Sequence, residues 1–150
     1  VSGTENELET LRAERARLTE DRERRTAART EAAELARLKR EIADEEAILK
    51  AEADHGPTGT EIAVVPSACG QGIVILKRPT HASYRQMIDA VGAGKMALSA
   101  INERFVFQCL AYPERGAFES ILKSESGMLE RAANAAAKLG GLVVEELSGK

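Results

Sequence analysis

The chain has 150 residues, with 24 Asp or Glu against 21 Lys or Arg, a net charge of -3 and five aromatics. That length holds one small domain and an appendage, and so mild a charge, with no basic face, argues against nucleic acid as a partner. No run of about 18 apolar residues suggests a membrane span, and the charged amino terminus lacks the apolar centre of a secretion signal, so the expected location is the cytoplasm.

Charge is unevenly placed. Residues 1–55 carry 15 Asp or Glu, 11 Lys or Arg and no aromatic, whereas residues 56–150 carry Tyr84, Phe105, Phe107, Tyr112 and Phe118. Two parts are expected: a long charged helix over 1–55 and a globular domain over 56–150.

Thr4-Glu5-Asn6-Glu7 has the form of a capping box, in which a hydroxyl and a carboxylate satisfy free amides at a helix start. Asp54-His55-Gly56-Pro57 has the form of a stop, a glycine cap followed by a proline that cannot continue a helix. Neither Gly nor Pro lies between them, so one helix of about fifty residues is the economical reading. Leu8, Leu11 and Leu18 fit a heptad seam, and Leu35, Leu38, Ile42 and Leu49 fit another. From Asp21 to Glu34 only small residues such as Ala28 and Ala32 interrupt the polar side chains. These seven apolar residues predict oligomerisation or partner binding. The alternative is a solvated single helix held by i,i+4 pairs such as Glu20 with Arg24, Asp21 with Arg25 and Glu46 with Lys50.

Residues 61–66 and 73–78 are short and rich in Ile and Val, and they flank Ser-Ala-Cys-Gly-Gln-Gly, the pattern of a β-hairpin with a six-residue turn. Gly70 and Gly72 read as turn glycines, because no helix follows to offer its amides to a phosphate. Thr80 is placed to cap a helix over 81–91, whose apolar face would be Tyr84, Met87, Ile88 and Val91. Gly92-Ala93-Gly94 should break that helix. Aligning Gly94-Lys95 with a phosphate-binding loop puts Asp89 where its first glycine belongs and Met96 where its hydroxyl belongs, so the segment reads as an interhelical turn. A nucleotide-dependent enzyme using Lys95 is the poorest reading. His81 has no ligand partner at metal spacing.

Residues 95–112 form the longest apolar helix candidate and hold three of the five aromatics. Leu98, Ile101, Phe105, Cys109 and Tyr112 recur at steps of three and four, and Val106, Phe107 and Leu110 widen the face, which predicts a central core helix. A reduced Cys109 packs well on such a face, and with Cys69 forty positions away a disulfide has little support. Pro113-Glu114 suits the first turn of a short helix with Phe118, Ile121 and Leu122 on one side. Ser124-Glu125-Ser126-Gly127 is a connector. A last helix from near Met128 carries Leu129, Ala132, Ala136, Leu139 and Val143, small enough to approach the central helix closely, and Gly140-Gly141 ends or kinks it.

The fold class is thus mainly α: a long amino-terminal helix and coiled-coil candidate, then a small α+β domain with a β-hairpin and about four helices. No nucleophile set, paired catalytic carboxylates, metal-ligand spacing or cofactor motif can be assembled, so neither enzyme activity nor a cofactor is expected. Tyr84, Met87, Phe107 and Phe118 are candidates for a partner-binding surface, with core filling as the alternative.

Over about residues 61–149 the order of segments resembles the tail assembly chaperones of long-tailed bacteriophages. A β segment ends in Arg78-Pro79 before a helix, an apolar helix closes on Tyr112-Pro113, and a last helix ends near Leu147-Ser148-Gly149. The resemblance implies a small, mainly helical, non-enzymatic protein of the infected bacterial cytoplasm. It would bind the aggregation-prone tape measure protein, keep it soluble and recruit tail tube subunits. The charged helix over 4–54 departs from compact members and suits a second reading, a structural virion or scaffold protein oligomerising through that helix.

Overall fold

A computed structural model describes residues 2–141. Their elements are α1 (Ser2–His55), β1 (Ile62–Pro66), β2 (Ile73–Lys77), α2 (His81–Ala93), α3 (Leu98–Cys109), β3 (Leu110–Tyr112), α4 (Arg115–Ser124) and α5 (Met128–Leu139). The mainly helical α+β class is as expected. The chain divides into two units, residues 1–41 and 42–150. The division falls fourteen residues before the expected one, because the last turns of α1 belong to the core of the second unit.

In the first unit α1 is a solvated helix, with Leu8, Leu11, Leu18, Leu35 and Leu38 all exposed. Thr4 lies inside the helix, which already starts at Ser2, so the expected capping box is not the cap. Arg24 pairs with Asp21 at 3.2 Å, one turn back, rather than with Glu20, and Arg37 sits 3.8 Å from Glu34 and 3.3 Å from Glu41. Such exposed pairs are worth at most about 1 kcal/mol each.

The second unit is organised by its sheet. β2 is central, with β1 and β3 antiparallel on either side. Ile62 pairs with Lys77 and Pro66 with Ile73, which closes the hairpin through residues 67–72 as the glycine-rich turn predicts. Successive strand residues point to opposite faces. Val65, Val74 and Leu76 enter the main core, while Ile62 and Ile75, flanked by Val64 and Ile73, meet Ala47, Ile48 and Ala51 of α1. Both faces are covered, which explains why β2 reads as the unbroken apolar run Ile-Val-Ile-Leu.

Thr80 caps α2 as expected, its hydroxyl accepting from the Ser83 amide at 3.1 Å. The helix continues to Ala93 and stops at Gly94, whose φ of 65° is left-handed. The predicted central helix is shorter than its apolar spacing suggests. It begins at Leu98 and ends at Cys109, and Leu110–Tyr112 instead forms a third strand, with Leu110 opposite Leu76 and Tyr112 opposite Ile75 across an irregular register. The exposed edge of β2 has backbone donors and acceptors that must be paired, and helix continuation would leave them without this partner. Pro113 precedes α4 rather than opening it, with Glu114 at the N-cap. Phe118 and Ile121 are buried and Leu122 packs against the main core. α5 packs on α3, β1 and β2, with Ala132, Ala136 and Leu139 buried as predicted and Met128, Ala133 and Ala137 beside them. Val143 and Leu147-Ser148-Gly149 lie outside the described residues.

Candidate interaction surfaces

Of the four residues proposed for partner contact, two are buried. Phe118 is 0% exposed and Met87 5%, both within the main core. With only five aromatics in the chain, the core takes the bulk it needs from them. Phe107 is half-buried, edge-on to Phe118 at 5.5 Å and 87°, with the Arg115 guanidinium 4.4 Å above its ring. Tyr84 is half-buried against Gly140, where a Cβ would come within 2.9 Å of its ring. Their rings are largely spent on internal contacts.

The apolar surface lies next door, on Ile88 (39% exposed), Val91 (44%), Met96 (44%) and Leu98 (61%). All four fall at the end of the α2–α3 helical hairpin. Ile88, Val91 and Leu98 were expected to face the core. The apolar stripe on α2 is wider than its packing against α3 can cover, and Leu98 is the first residue of α3, at the helix end. The signal in the sequence was position: Ile88 and Val91 lie in the last turns of α2, just before the glycine that stops it. Between the helices runs a cleft of about 30 Å³ lined by Met87, Ala90, Met96, Ile101, Arg104 and Phe105. A small-molecule site takes several hundred cubic ångströms; this cleft has about the space of one water.

The seven apolar residues expected to oligomerise are all exposed, from 45% at Leu38 to 68% at Leu49. They do not form one stripe. Leu35 and Leu38 follow Leu8 and Leu11 by 27 residues, about seven and a half turns at 3.6 residues per turn, so the two sets point to opposite sides of the helix. Near its carboxyl end α1 has two apolar sides. Asp44, Ala47, Ile48 and Ala51 face the sheet, and Ile42 and Leu49 lie about 160° around, facing outward.

One buried carboxylate links separate parts of the second unit. The connector residue Glu125, 7% exposed, accepts from the Ser67 hydroxyl at 2.6 Å and the Ala68 amide at 3.0 Å, and it ion-pairs with Arg131. Arg131 also donates to the Pro66 carbonyl at 3.0 Å. This cluster ties the hairpin turn to the α4–α5 connector, and nothing in Ser-Glu-Ser-Gly announced it. Cys69 is exposed and Cys109 buried, both as free thiols. Burial pushes the Cys109 thiol up to about 11, with Lys77 partly opposing.

Lys95 stands exposed in a turn between two helices, not after a strand, so the chain does not build a phosphate loop there. Among the described residues no group of three or more His, Cys, Asp or Glu could hold a metal, and no helix is long and apolar enough to cross a membrane. No protein-family profile, curated protein or solved structure matches the chain.

Proposed function

We propose that the protein is a non-enzymatic assembly factor, a tail assembly chaperone of a long-tailed phage. In this reading it binds the tape measure protein in the host cytoplasm, keeps it soluble and recruits tail tube subunits, as the order of segments over residues 61–149 implies. The observation that carries the reading is the exposed apolar end of the α2–α3 hairpin, where Ile88, Val91, Met96 and Leu98 meet solvent. A client with many similar apolar stretches needs only modest adhesive strength, and four exposed large apolar residues between positions 88 and 98 supply more than the scattered single exposure that is ordinary.

Co-expression with the tape measure protein of the same phage tests it. The client is expected in the soluble fraction with the native chain and in the pellet with Val91→Asp/Leu98→Asp. A client that stays insoluble with the native chain, or that is rescued equally by the variant, overturns the reading.

The exposed apolar residues of α1 favour a second reading, a structural virion or scaffold protein that associates through this helix. That reading expects a homo-oligomer of the pure protein without any client.

A further inference from the structure

We infer that α1 pairs with α1 of a second copy of this chain, as a parallel, in-register coiled coil through Leu35, Leu38, Ile42 and Leu49 alone. The inference rests on reading α1 as an association element, and it assigns the partner, the orientation and the side of the helix.

The spacing of these residues, three, four and seven, sets Leu35, Ile42 and Leu49 at heptad position a and Leu38 at d. All four are exposed, between 45% and 68%. Ile42 and Leu49 face away from the side that Ala47, Ile48 and Ala51 dock on the sheet, so pairing costs none of the internal core.

Orientation follows from what each layer would contain. A parallel in-register pair sets every residue against its own copy, giving four apolar layers at Leu35, Leu38, Ile42 and Leu49 and confining the carboxylates to the layers at Glu31 and Glu45. An antiparallel pair centred on Leu38 and Ile42 places Leu35 against Glu45 and Leu49 against Glu31, which buries carboxylates beside leucines. Parallel packing also brings Glu34, at g, to Lys39, at the following e of the other copy. In the single chain Glu34 has only a loose 3.8 Å approach from Arg37. Ile42 at a beside Leu38 at d has the two-stranded preference, while the other a positions are leucines. Glu45 at d and the facing Glu41 and Glu46 weaken the pair, so the dimer is expected to be reversible.

Leu8, Leu11 and Leu18 lie half a turn away and stay outside this interface. That separates the inference from a single seam running the length of the helix.

Sedimentation of the full chain and its variants across the micromolar range tests it. A concentration-dependent dimer is expected. Leu38→Glu/Ile42→Glu should abolish it with helix content unchanged, and Leu11→Glu/Leu18→Glu should leave it intact. Glu45→Leu should tighten it about tenfold or more by replacing the polar layer. In a Cys69→Ser background, Leu49→Cys should cross-link to itself on mild oxidation, because only the parallel register puts the two copies of position 49 together. A chain that stays monomeric overturns both the inference and the association reading of α1. A dimer lost in Leu11→Glu/Leu18→Glu but kept in Leu38→Glu/Ile42→Glu overturns the inference and leaves that reading standing. A dimer that fails to cross-link through Leu49→Cys overturns the parallel register.

Discussion

The Tyr112 hydroxyl donates to the Asp44 carboxylate at 3.1 Å, joining the end of β3 to the last turns of α1 across 68 residues of chain. Asp44 is only 8% exposed, and the bond gives a buried charge one of its partners on the side of the helix that docks on the sheet. It therefore helps decide which face of α1 turns inward.

Removing that donor should loosen the docking without dismantling the core. Tyr112→Phe keeps the ring and takes away the hydroxyl, which costs about 1–3 kcal/mol when a buried charged acceptor loses a donor. Urea denaturation should show a lower midpoint with an unchanged slope, and hydrogen exchange should speed up in residues 44–55 more than in α5.

Glu125 makes a sharper case, because it anchors three donors. Glu125→Ala leaves the Ser67 hydroxyl and the Ala68 amide without their acceptor and Arg131 without its counter-ion. Breaking a fully buried pair costs about 3–5 kcal/mol, and Arg131 at 41% exposure recovers part of that from water, so about 2–3 kcal/mol is expected. Ser67→Ala, which removes a single hydroxyl, should cost about 1 kcal/mol. Thermal unfolding of the two variants side by side checks the ratio.

What could be read in advance, and what could not, divides along sequence distance. The hairpin, the Thr80 cap and the glycine stop of α2, which falls after Ala93 rather than after Val91, are decided by neighbours a few residues apart. The end of α3 is not local: Leu110 and Tyr112 keep helical spacing, yet the open edge of β2 claims their backbone. The docked side of α1 was hidden for a related reason. Ala47, Ile48 and Ala51 are smaller or less regularly placed than the leucines, and only the sheet reveals which side is wanted. Glu125 looks like any linker residue until the hairpin turn folds against it. Nor did spacing show which apolar side chains stay exposed: Met87 and Phe118 are taken by the core, while Val91 and Leu98 are left outside.

The two cysteines should separate cleanly in reactivity and in pH response. Cys69 is exposed and should react with a disulfide reagent at once at pH 8, while Cys109 should react only at the rate of unfolding. The Cys109 pKa is raised by burial from 9.0 to about 11, so the folded state holds its proton more tightly than the unfolded chain. Its contribution to stability is full below pH about 9 and is lost as pH climbs toward 11. Tyr112, also raised by burial and then by Asp44, acts in the same direction above pH 10. Cys109→Ala should flatten the alkaline loss between pH about 9 and 11 while lowering stability at neutral pH.

The same substitution at two glycines should have opposite signs. Gly140, at the end of α5, has ordinary helical dihedrals, so its backbone tolerates a side chain. A Cβ there would lie 2.9 Å from Tyr84 Cδ2 and 3.2 Å from Pro79 Cγ, both in rings that cannot bend aside. Gly140→Ala should therefore push α2 away from α5 and cost about 1–3 kcal/mol, the usual range for overpacking. Gly92 lies within α2, and a Cβ there meets nothing within 4 Å. Gly92→Ala removes chain entropy from the unfolded state and should stabilise by about 0.5–1 kcal/mol. Denaturation midpoints of the two variants decide the matter: equal signs would mean that α2 does not rest on Gly140 through Tyr84.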